Sequence, residues 1–518
     1  MSNAARDAAR HLQEGRPAEA EALLRRLASQ RPRDGDVLHL LGLAVLHQGR
    51  GAEAADLLRR AAGRHPDDAV VHSHLGVALK AAGRLDERIT AYRTAVRLDP
   101  AQVRAWANLG AALLEADNAD GAEEALAHAL ALAPDDAEAL AGMGDALRRL
   151  GRPDAALACL TRALAARPGF AEAAVTLGLL LEAEGCRPEA DTAFARALAS
   201  DPGHALAHWN RGLLRLGGGD LAEGWAGYGW RFSTPALHRP RPFAEPEWRG
   251  EDVSGRRVLV WREQGLGDEL MFASLYPDLI RHAGQVVIEC DRRLVPLFTR
   301  SFPGAAVVAA GGPLPPVDCH IPAGSLPRWL RPGLAAFPAS PGFLVPDASR
   351  VGRWRRELAA LGAAPKVGLA WRSGLATRSR AAAYAPLDLW APMLTVPGLT
   401  FVPLQYDRCA AACAAAERRF GIRLPRWPDL DLKDDLEEVA ALMAALDLVV
   451  AAPTAVGELA AAVGVPTWRL APGGDWSALG TAARPWFPAQ RLFQPRPGEG
   501  LANVLARVGA ELAALQRR

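Results

Sequence analysis

The sequence predicts an α + α/β protein, in which an all-α array of paired helices precedes two lobes that each contain a parallel β-sheet. Three observations predict this class. Proline, glycine and alanine recur every 34 residues in the first half. After about residue 255, short apolar segments alternate with helical ones, which is typical of parallel sheets covered by helices. A proline-rich passage at residues 313–346 divides these segments into two groups.

Length and composition narrow the class of protein. A chain of 518 residues is too long for one compact core, so we expect two to four units. The net charge of +2 gives no overall basic field, which argues against nucleic acid as a partner. The N-terminal residues lack the apolar core of a signal peptide, and the apolar stretch at 439–456 is interrupted by Asp447 and Pro453. We therefore expect a cytoplasmic protein without a membrane span.

The six cysteines are scattered and include no C-x-x-C pair. Cys409 and Cys413 share a helix face, but two thiols without further ligands make a poor metal site. This pattern favours reduced thiols and predicts no metal site.

Paired helices explain the period of the first half. Glycine and alanine are expected where two helices approach closely, and proline where the second helix ends. A second glycine series marks the turn inside each pair, with Asp117 as its one exception. The proline series is Pro32, Pro66, Pro100, Pro134, Pro168 and Pro202, the close-approach glycines are Gly42, Gly76, Gly110, Gly144, Gly178 and Gly212, and the turn glycines are Gly15, Gly49, Gly83, Gly151, Gly185 and Gly219.

Trp106-x-x-Leu109-Gly110 and Ala122-x3-Leu126 match the tetratricopeptide signature. Residues 3–232 therefore resemble a tetratricopeptide (TPR) array, and we assign residues 1–234 to a TPR superhelix. The resemblance implies a concave face that holds an extended peptide or a partner protein. A spacer or a dimerisation element is the alternative.

The end of the array is richer in aromatic residues than the repeats before it. Trp225, Tyr228 and Phe232 recur at helical spacing, and we expect them to pack against the following domain rather than to form a ligand cage. Residues 235–254, rich in proline and arginine at their start, are predicted to be a linker.

Seven strands are predicted beyond the linker. We expect residues 255–349 to form an N-terminal Rossmann-like lobe and residues 365–518 to form a C-terminal one. Residues 350–364 are predicted to be a helix between the two lobes. The final helix carries an apolar stripe, and in two-lobed folds such a helix often crosses back to the first lobe. The predicted strands are residues 258–261, 286–290, 305–310, 366–371, 400–404, 446–452 and 467–470.

The segment 257–272 is the most informative part of this half. An apolar strand is followed by a loop that contains Gly265 and Gly267, and a helix begins near Asp268. A loop in this position borders the ligand crevice of an open α/β sheet. Glycine is common in these turns for backbone reasons, and Asp268 could simply cap its helix.

Four motifs in order carry a second resemblance. They are the strand-G-L-G-D-helix segment, V-G-L-A-W-R at 367–372, P-L-Q at 403–405, and the acidic-led helix and strand at 434–450, after which a threonine starts a helix. Residues 255–495 thereby resemble the heptosyltransferase-type GT-B glycosyltransferases. Together with the array they are similar to bacterial TPR-fused glycosyltransferases, including flagellin-modifying ones, and distantly to O-GlcNAc transferases.

The resemblance implies a GT-B fold of two Rossmann-like lobes and a nucleotide-sugar as substrate, with no cofactor and no metal. Asp268 stands where the family places its acceptor-side acid and is the candidate catalytic base. Glu263, in the same loop and without an evident structural role, is the second candidate. The rival interpretation for Asp268 remains helix capping.

The donor's phosphates are expected at the second lobe. The backbone N–H groups from Thr454 to Gly457, including Ala455 and Val456, and the Thr454 hydroxyl are placed to bind phosphate oxygens. Further donor-binding candidates are Arg372, Arg378, Gln405, Asp475 and Trp476, although arginines on loops are often solvated and Trp476 could be core.

Glu458 departs from the family pattern. Many heptosyltransferase-like chains carry an Asp-Thr pair and then a histidine here, whereas this chain has Pro453, Thr454 and then Glu458. A carboxylate beside a phosphate repels it, so Glu458 either points away, contacts the sugar or signals lost catalysis.

The functional prediction is a glycosyltransferase that moves a sugar from a nucleotide carrier to an acceptor protein, flagellin being one candidate, held by the array. One alternative is glycosylation of a lipopolysaccharide-type saccharide with the repeats used for docking. The other is an inactive nucleotide-sugar-binding scaffold.

Overall fold

The computed structural model describes residues 3–234, 240–374, 384–471, 475–496 and 499–515. The chain divides into two compact units, Met1–His204 and Ala205–Arg518. The predicted boundary at residue 234 therefore falls inside the second unit. Both α/β lobes and the last helix pair of the 34-residue repeat belong to this second unit.

The first unit consists of six antiparallel helix pairs. Each helix packs on the next one along the chain, and the two helices of a pair make the most extensive contacts. Each repeating proline follows the second helix of a pair, as predicted. The helices are α1 (Asn3–Gln13), α2 (Pro17–Gln30), α3 (Gly35–Leu46), α4 (Gly51–Ala62), α5 (Ala69–Ala81), α6 (Leu85–Leu98), α7 (Val103–Glu115), α8 (Ala119–Leu132), α9 (Ala137–Arg149), α10 (Pro153–Ala166), α11 (Ala171–Ala183) and α12 (Arg187–Ser200).

The two glycine series serve different purposes, as the sequence predicts. Each turn glycine has a left-handed backbone, for example Gly83 at φ 70°, and Asp117 takes the same conformation at φ 56°. The other series lies where helices touch. A Cβ added to Gly144 would sit 2.5 Å from Leu160 Cγ, so only glycine fits this contact.

Asp117 is strained relative to the glycines that it replaces, because a side chain in the left-handed region crowds the following carbonyl. The Asp117→Gly variant is expected to raise the free energy of unfolding by up to about 1 kcal/mol, as measured by chemical denaturation. Asp117 is exposed and its oxygen lies 3.7 Å from Arg149, so the lost ion pair contributes little.

The matched control for this turn is Gly83→Ala. No atom lies within 4 Å of a Cβ built on Gly83, so alanine introduces backbone strain alone. This variant should be destabilised by about as much as Asp117→Gly is stabilised. Equal stability of all three chains would contradict the assignment of strain to the turn.

The second unit begins with α13 (Ala205–Gly217), α14 (Leu221–Tyr228) and a 3-10 turn (Gly229–Ser233). Trp225 and Tyr228 are buried in the same core as the α/β lobes, and Phe232 packs on the apolar face around Trp261. The prediction that these aromatics form a domain interface is confirmed. The last helix pair is therefore built into the α/β unit.

The first lobe contains a four-stranded parallel sheet in the order β3-β2-β1-β4. Its last strand was absent from the predicted set, because it lies inside the proline-rich passage at residues 313–346 and its apolar run is interrupted by His320 and Pro322. The strands are β1 (Arg257–Trp261), β2 (Gln285–Cys290), β3 (Ala305–Ala309) and β4 (Cys319–Pro322), and the helices are α15 (Leu266–Phe272), α16 (Tyr276–His282), α17 (Val295–Ser301) and α18 (Leu326–Leu330).

The second lobe contains a five-stranded parallel sheet in the order β6-β5-β7-β8-β9, with its last strand again missed. The helix α19 (Ala348–Ala359) joins the lobes. The strands are β5 (Lys366–Ala370), β6 (Thr400–Pro403), β7 (Leu448–Ala451), β8 (Thr467–Leu470) and β9 (Gln490–Phe493), and the helices are α20 (Ala391–Leu394), α21 (Ala410–Phe420), α22 (Leu436–Met443), α23 (Ala455–Val463) and α24 (Leu501–Leu515).

The expectation that the final helix crosses to the first lobe is wrong. The buried stripe of α24, including Val504, Val508 and Leu512, packs into the core that surrounds β5 in the second lobe. Gly509 allows this contact, since a Cβ there would lie 2.3 Å from the Pro392 carbonyl oxygen.

Within the described ranges, no helix combines the length and the apolar character that crossing a bilayer requires. The six cysteines are all free thiols.

Candidate functional site

A cavity of about 900 Å³ lies between the two α/β lobes of the second unit. The loop after β1 lines it from one side and the loop after β7 from the other, so it is bordered by the carboxyl ends of strands in both sheets. The structure brings Gly265, Gly267, Asp268 and Thr454 to this one cavity. A Cβ on Gly267 would lie 3.6 Å from Ala455 Cα, so the two loops approach closely.

Asp268 occupies the first turn of α15 and lines the cavity. Burial and then the nearby Glu263 charge raise the pKa of Asp268, although a hydrogen bond from the Gly265 backbone and the charges of Arg484 and Arg469 act in the opposite direction. A carboxylate in the first turn of a helix also interacts favourably with the helix dipole, so a helix-stabilising role and an acid–base role of Asp268 are compatible.

The expectation that Glu263 lacks a structural role is wrong. Its buried carboxylate forms a two-pronged ion pair with Arg231, with distances of 2.6 Å from Nε to Oε2 and 2.7 Å from Nη2 to Oε1. The same carboxylate accepts a hydrogen bond of 2.7 Å from the Gly324 N–H. Glu263 does not line the cavity, and its partners come from the 3-10 turn after α14 and from the turn after β4.

The start of α23 forms the opposite wall. Thr454 precedes the helix with an extended backbone, is 8% exposed, and lines the cavity. Its Oγ1 is buried and has no hydrogen-bond partner among the described residues. Ala455 and Val456 also line the cavity, and as the first helical residues their N–H groups lack acceptors within the helix.

Gly457 does not belong to the cavity lining, contrary to the prediction for this helix start. Its N–H donates to the Thr454 carbonyl oxygen at 3.1 Å. A Cβ on Gly457 would lie 3.2 Å from Ala451 Cβ, so the residue packs against β7. Its role is to let the helix lie close to the sheet.

Glu458 lines the cavity and is fully occupied by two arginines that the sequence prediction missed. Its Oε2 accepts from Arg484 Nη1 at 2.6 Å, and its Oε1 contacts Arg469 Nη1. Burial lowers the pKa of each arginine to about 10, and for Arg469 the charge of Arg484 adds to this effect. Arginine inside the apolar strand β8 was the available signal, because buried charges are almost always paired.

Asp475 and Trp476, two of the candidate donor-binding residues, line the cavity. Asp475 lies 3.3 Å from Arg469 Nη2, and although burial raises the pKa of this carboxyl, the arginine charges lower it overall. The Trp476 ring lies 6.1 Å from Trp225 and 5.5 Å from Tyr228. The last helix pair thus supports one wall of the cavity.

Besides Gly457, two predicted donor-binding residues lie outside the cavity lining, and Arg378 cannot be placed. Gln405 accepts from the Trp371 and Arg372 N–H groups and donates to the Arg372 carbonyl, so it joins the ends of β5 and β6 instead of facing the crevice. Arg372 pairs with Asp407 at 2.8 Å and is absent from the lining. Arg378 lies outside the described residues.

The structure shows no group of three or more histidine, cysteine or acidic side chains arranged to hold a metal ion, among the residues that it describes. Two largely buried basic side chains, Arg469 and Arg484, line the cavity. Three further basic residues, Arg293, Lys433 and Arg408, also belong to its lining.

Comparisons with known proteins agree with the helical half. Tetratricopeptide repeat models match residues 11–76, 78–117, 102–168 and 183–224. Protein FlbA of Caulobacter vibrioides is 39% identical over 295 residues, which cover 53% of this chain and 49% of FlbA. The chain thus spans about half the length of this curated relative.

Solved structures give similar matches. MamA is 25% identical with a TM-score of 0.29, covering 33% of this chain and 93% of MamA. YrrB, described as a TPR protein with an unusual peptide-binding site, is 23% identical with a TM-score of 0.27, covering 35% and 92%. The N-terminal half of the chain is, on the family models, an array of tetratricopeptide repeats.

Proposed function

We propose that the protein is a GT-B glycosyltransferase that moves a sugar from a nucleotide-sugar donor, bound between the α/β lobes, to an acceptor protein recognised by the repeats. One observation carries the proposal. An acid with a raised pKa, Asp268, and a helix start with unsatisfied donors, at Thr454, line the same cavity from opposite lobes.

The two walls suit the two halves of the reaction. Asp268 takes the proton from the acceptor hydroxyl while the acceptor oxygen bonds to the anomeric carbon. The bond between that carbon and the phosphate oxygen breaks, and the nucleotide leaves with the bonding electrons. Its charge is met by the α23 N-terminus and the Thr454 hydroxyl. Because these groups can meet the charge, the proposal needs no metal.

The last helix pair and the 3-10 turn after it contact the loop that precedes Asp268. The Tyr228 hydroxyl accepts a hydrogen bond of 2.6 Å from Gln264 Nε2, and Arg231 holds Glu263. Both partners belong to the loop that leads to Asp268. TPR arrays commonly bind peptides and proteins, so the repeats are the natural site for an acceptor protein, of which a flagellin is one to try.

Removing residues 1–204 tests whether the repeats recognise the acceptor while the second unit acts on the donor. The remaining chain keeps one compact unit with both lobes and the last helix pair. We expect it to hydrolyse the donor at a rate close to that of the full chain, and to lose transfer to the protein acceptor. Mass spectrometry of the acceptor and chromatography of the released nucleotide measure the two activities. Transfer that persists in the shortened chain would remove the repeats from acceptor recognition.

A second candidate function is a nucleotide-sugar-binding scaffold without turnover. Glu458 favours it, because this carboxylate neutralises the two buried arginines next to the proposed phosphate site. If the protein binds the donor but releases no nucleotide, either with any acceptor tested or without an acceptor, the result would favour the scaffold over the transferase.

A further inference from the structure

The two buried arginines beside the cavity differ in how far the protein satisfies them. Arg484 is 2% exposed and has several partners: its Nε donates to Ser477 Oγ at 2.9 Å, and its Nη1 donates to Glu458 and, at 2.8 Å, to Gln490 Oε1. Its Nη2 lies against the Met271 sulfur. Arg484 is therefore committed to the interior of the second unit.

Arg469 is less completely satisfied. Its Nη1 contacts Glu458 and its Nη2 lies 3.3 Å from Asp475, but its Nε is buried without a hydrogen-bond partner in the described part of the chain. The Thr454 hydroxyl has the same defect, and both residues line the cavity. Two carboxylate oxygens of the described lining, Asp407 Oδ1 and Asp475 Oδ2, are also buried without a hydrogen-bond partner. Buried polar atoms are normally hydrogen-bonded, so these four atoms together indicate a missing bound group, and the two that can donate, Arg469 Nε and Thr454 Oγ1, need an acceptor from it.

The Glu458 carboxylate occupies the position between these two arginines where a bound anion could lie. Its two oxygens each contact a different guanidinium, which is the arrangement that a phosphate group also adopts between two arginines. With Glu458 and Asp475 ionised, two positive and two negative charges balance. The cluster then has no net charge to attract a donor.

We propose that Glu458 is an internal counter-ion that competes with the donor's phosphate for Arg469. When a diphosphate enters, Glu458 stays on Arg484, and Arg469 together with Thr454 binds the phosphate oxygens. This inference rests on the proposed nucleotide-sugar site, and it names Arg469 as a phosphate-binding residue and Glu458 as the residue that limits its affinity.

Inorganic pyrophosphate tests the proposal without turnover. Titration calorimetry with the full chain should show Glu458→Gln binding pyrophosphate at least about tenfold more tightly than the unmodified chain, because the competing charge is gone while the side chain keeps its shape. The matched control is Glu511→Gln, which breaks an exposed ion pair with Arg491 in the same lobe and should leave the affinity unchanged.

Arg469→Met covers the case in which Glu458→Gln fails to fold. This variant keeps the Glu458–Arg484 pair, and we expect it to melt cooperatively and to bind pyrophosphate at least about tenfold more weakly. Unchanged affinity in a folded Arg469→Met chain, or unchanged or weaker binding by a folded Glu458→Gln chain, would overturn the proposal. Failure of glycosyl transfer alone would not, because pyrophosphate binding is measured without it.

Discussion

The Asp268→Asn variant is expected to release nucleotide from the donor about 10² to 10⁴ times more slowly than the unmodified protein, in the presence of acceptor. The amide has nearly the shape of the carboxylate but cannot take the acceptor's proton. Because burial raises the pKa of Asp268 above its ordinary value of 3.8, the wild-type rate should also fall with decreasing pH at a higher pH than an exposed aspartate would cause. Initial rates across pH measure both effects.

Stability provides the control for this variant. A carboxyl whose pKa is raised in the folded protein binds its proton more tightly there than in the unfolded chain. Its contribution to stability is therefore present at low pH and is lost as pH rises through the raised pKa. At neutral pH Asp268→Asn should melt at the same temperature or higher. A folded variant that retains the wild-type rate would remove Asp268 from the mechanism.

The Glu263→Ala variant is expected to lose about 3–5 kcal/mol of unfolding free energy. Arg231 is fully buried and its guanidinium depends on Glu263 for both charge and two hydrogen bonds. Burial would lower the pKa of Arg231, but the Glu263 charge outweighs it and raises that pKa. Alanine leaves a buried cation whose remaining acceptors, among the described residues, are the Ser325 hydroxyl and the Tyr228 carbonyl. Thermal melting should shift down by at least about 6 °C.

The double variant Arg231→Met with Glu263→Leu separates the pair from its packing. Apolar side chains of similar volume leave no unpaired charge, so most of the lost stability should return. Glu511→Ala, which breaks an exposed ion pair with Arg491, should cost at most about 1 kcal/mol. A Glu263→Ala chain as stable as Glu511→Ala would contradict the buried-pair account.

The helical half could be predicted from sequence almost residue by residue. Its contacts are local and repeat, so each structural demand appears several times at one spacing. The left-handed turn shows this directly, since it is met by glycine at Gly15 and Gly49 and even by Asp117, the one exception. Most strands were also predictable, but β4 (C-H-I-P) and β9 (Q-R-L-F) were not, because polar residues or proline interrupt the apolar run in each.

Only some of the cavity-lining residues could be predicted, because the sequence shows which residues end a strand but not the direction in which their side chains point. Asp268 and Thr454 were placed correctly at the cavity by the loops that carry them. Gln405 ends a strand as well, yet turns toward the neighbouring backbone. Arg484 and the partner of Glu263 come from distant parts of the chain, and such pairs leave no local pattern.

The central claim is that a nucleotide-sugar binds between the two lobes and contacts both walls. Hydrogen–deuterium exchange of the full chain, with and without each member of a panel of nucleoside diphosphate sugars, tests it most directly. We predict that one donor slows exchange in both residues 265–271 and residues 453–459. Protection by none of the donors, or protection confined to the repeats, would contradict the account.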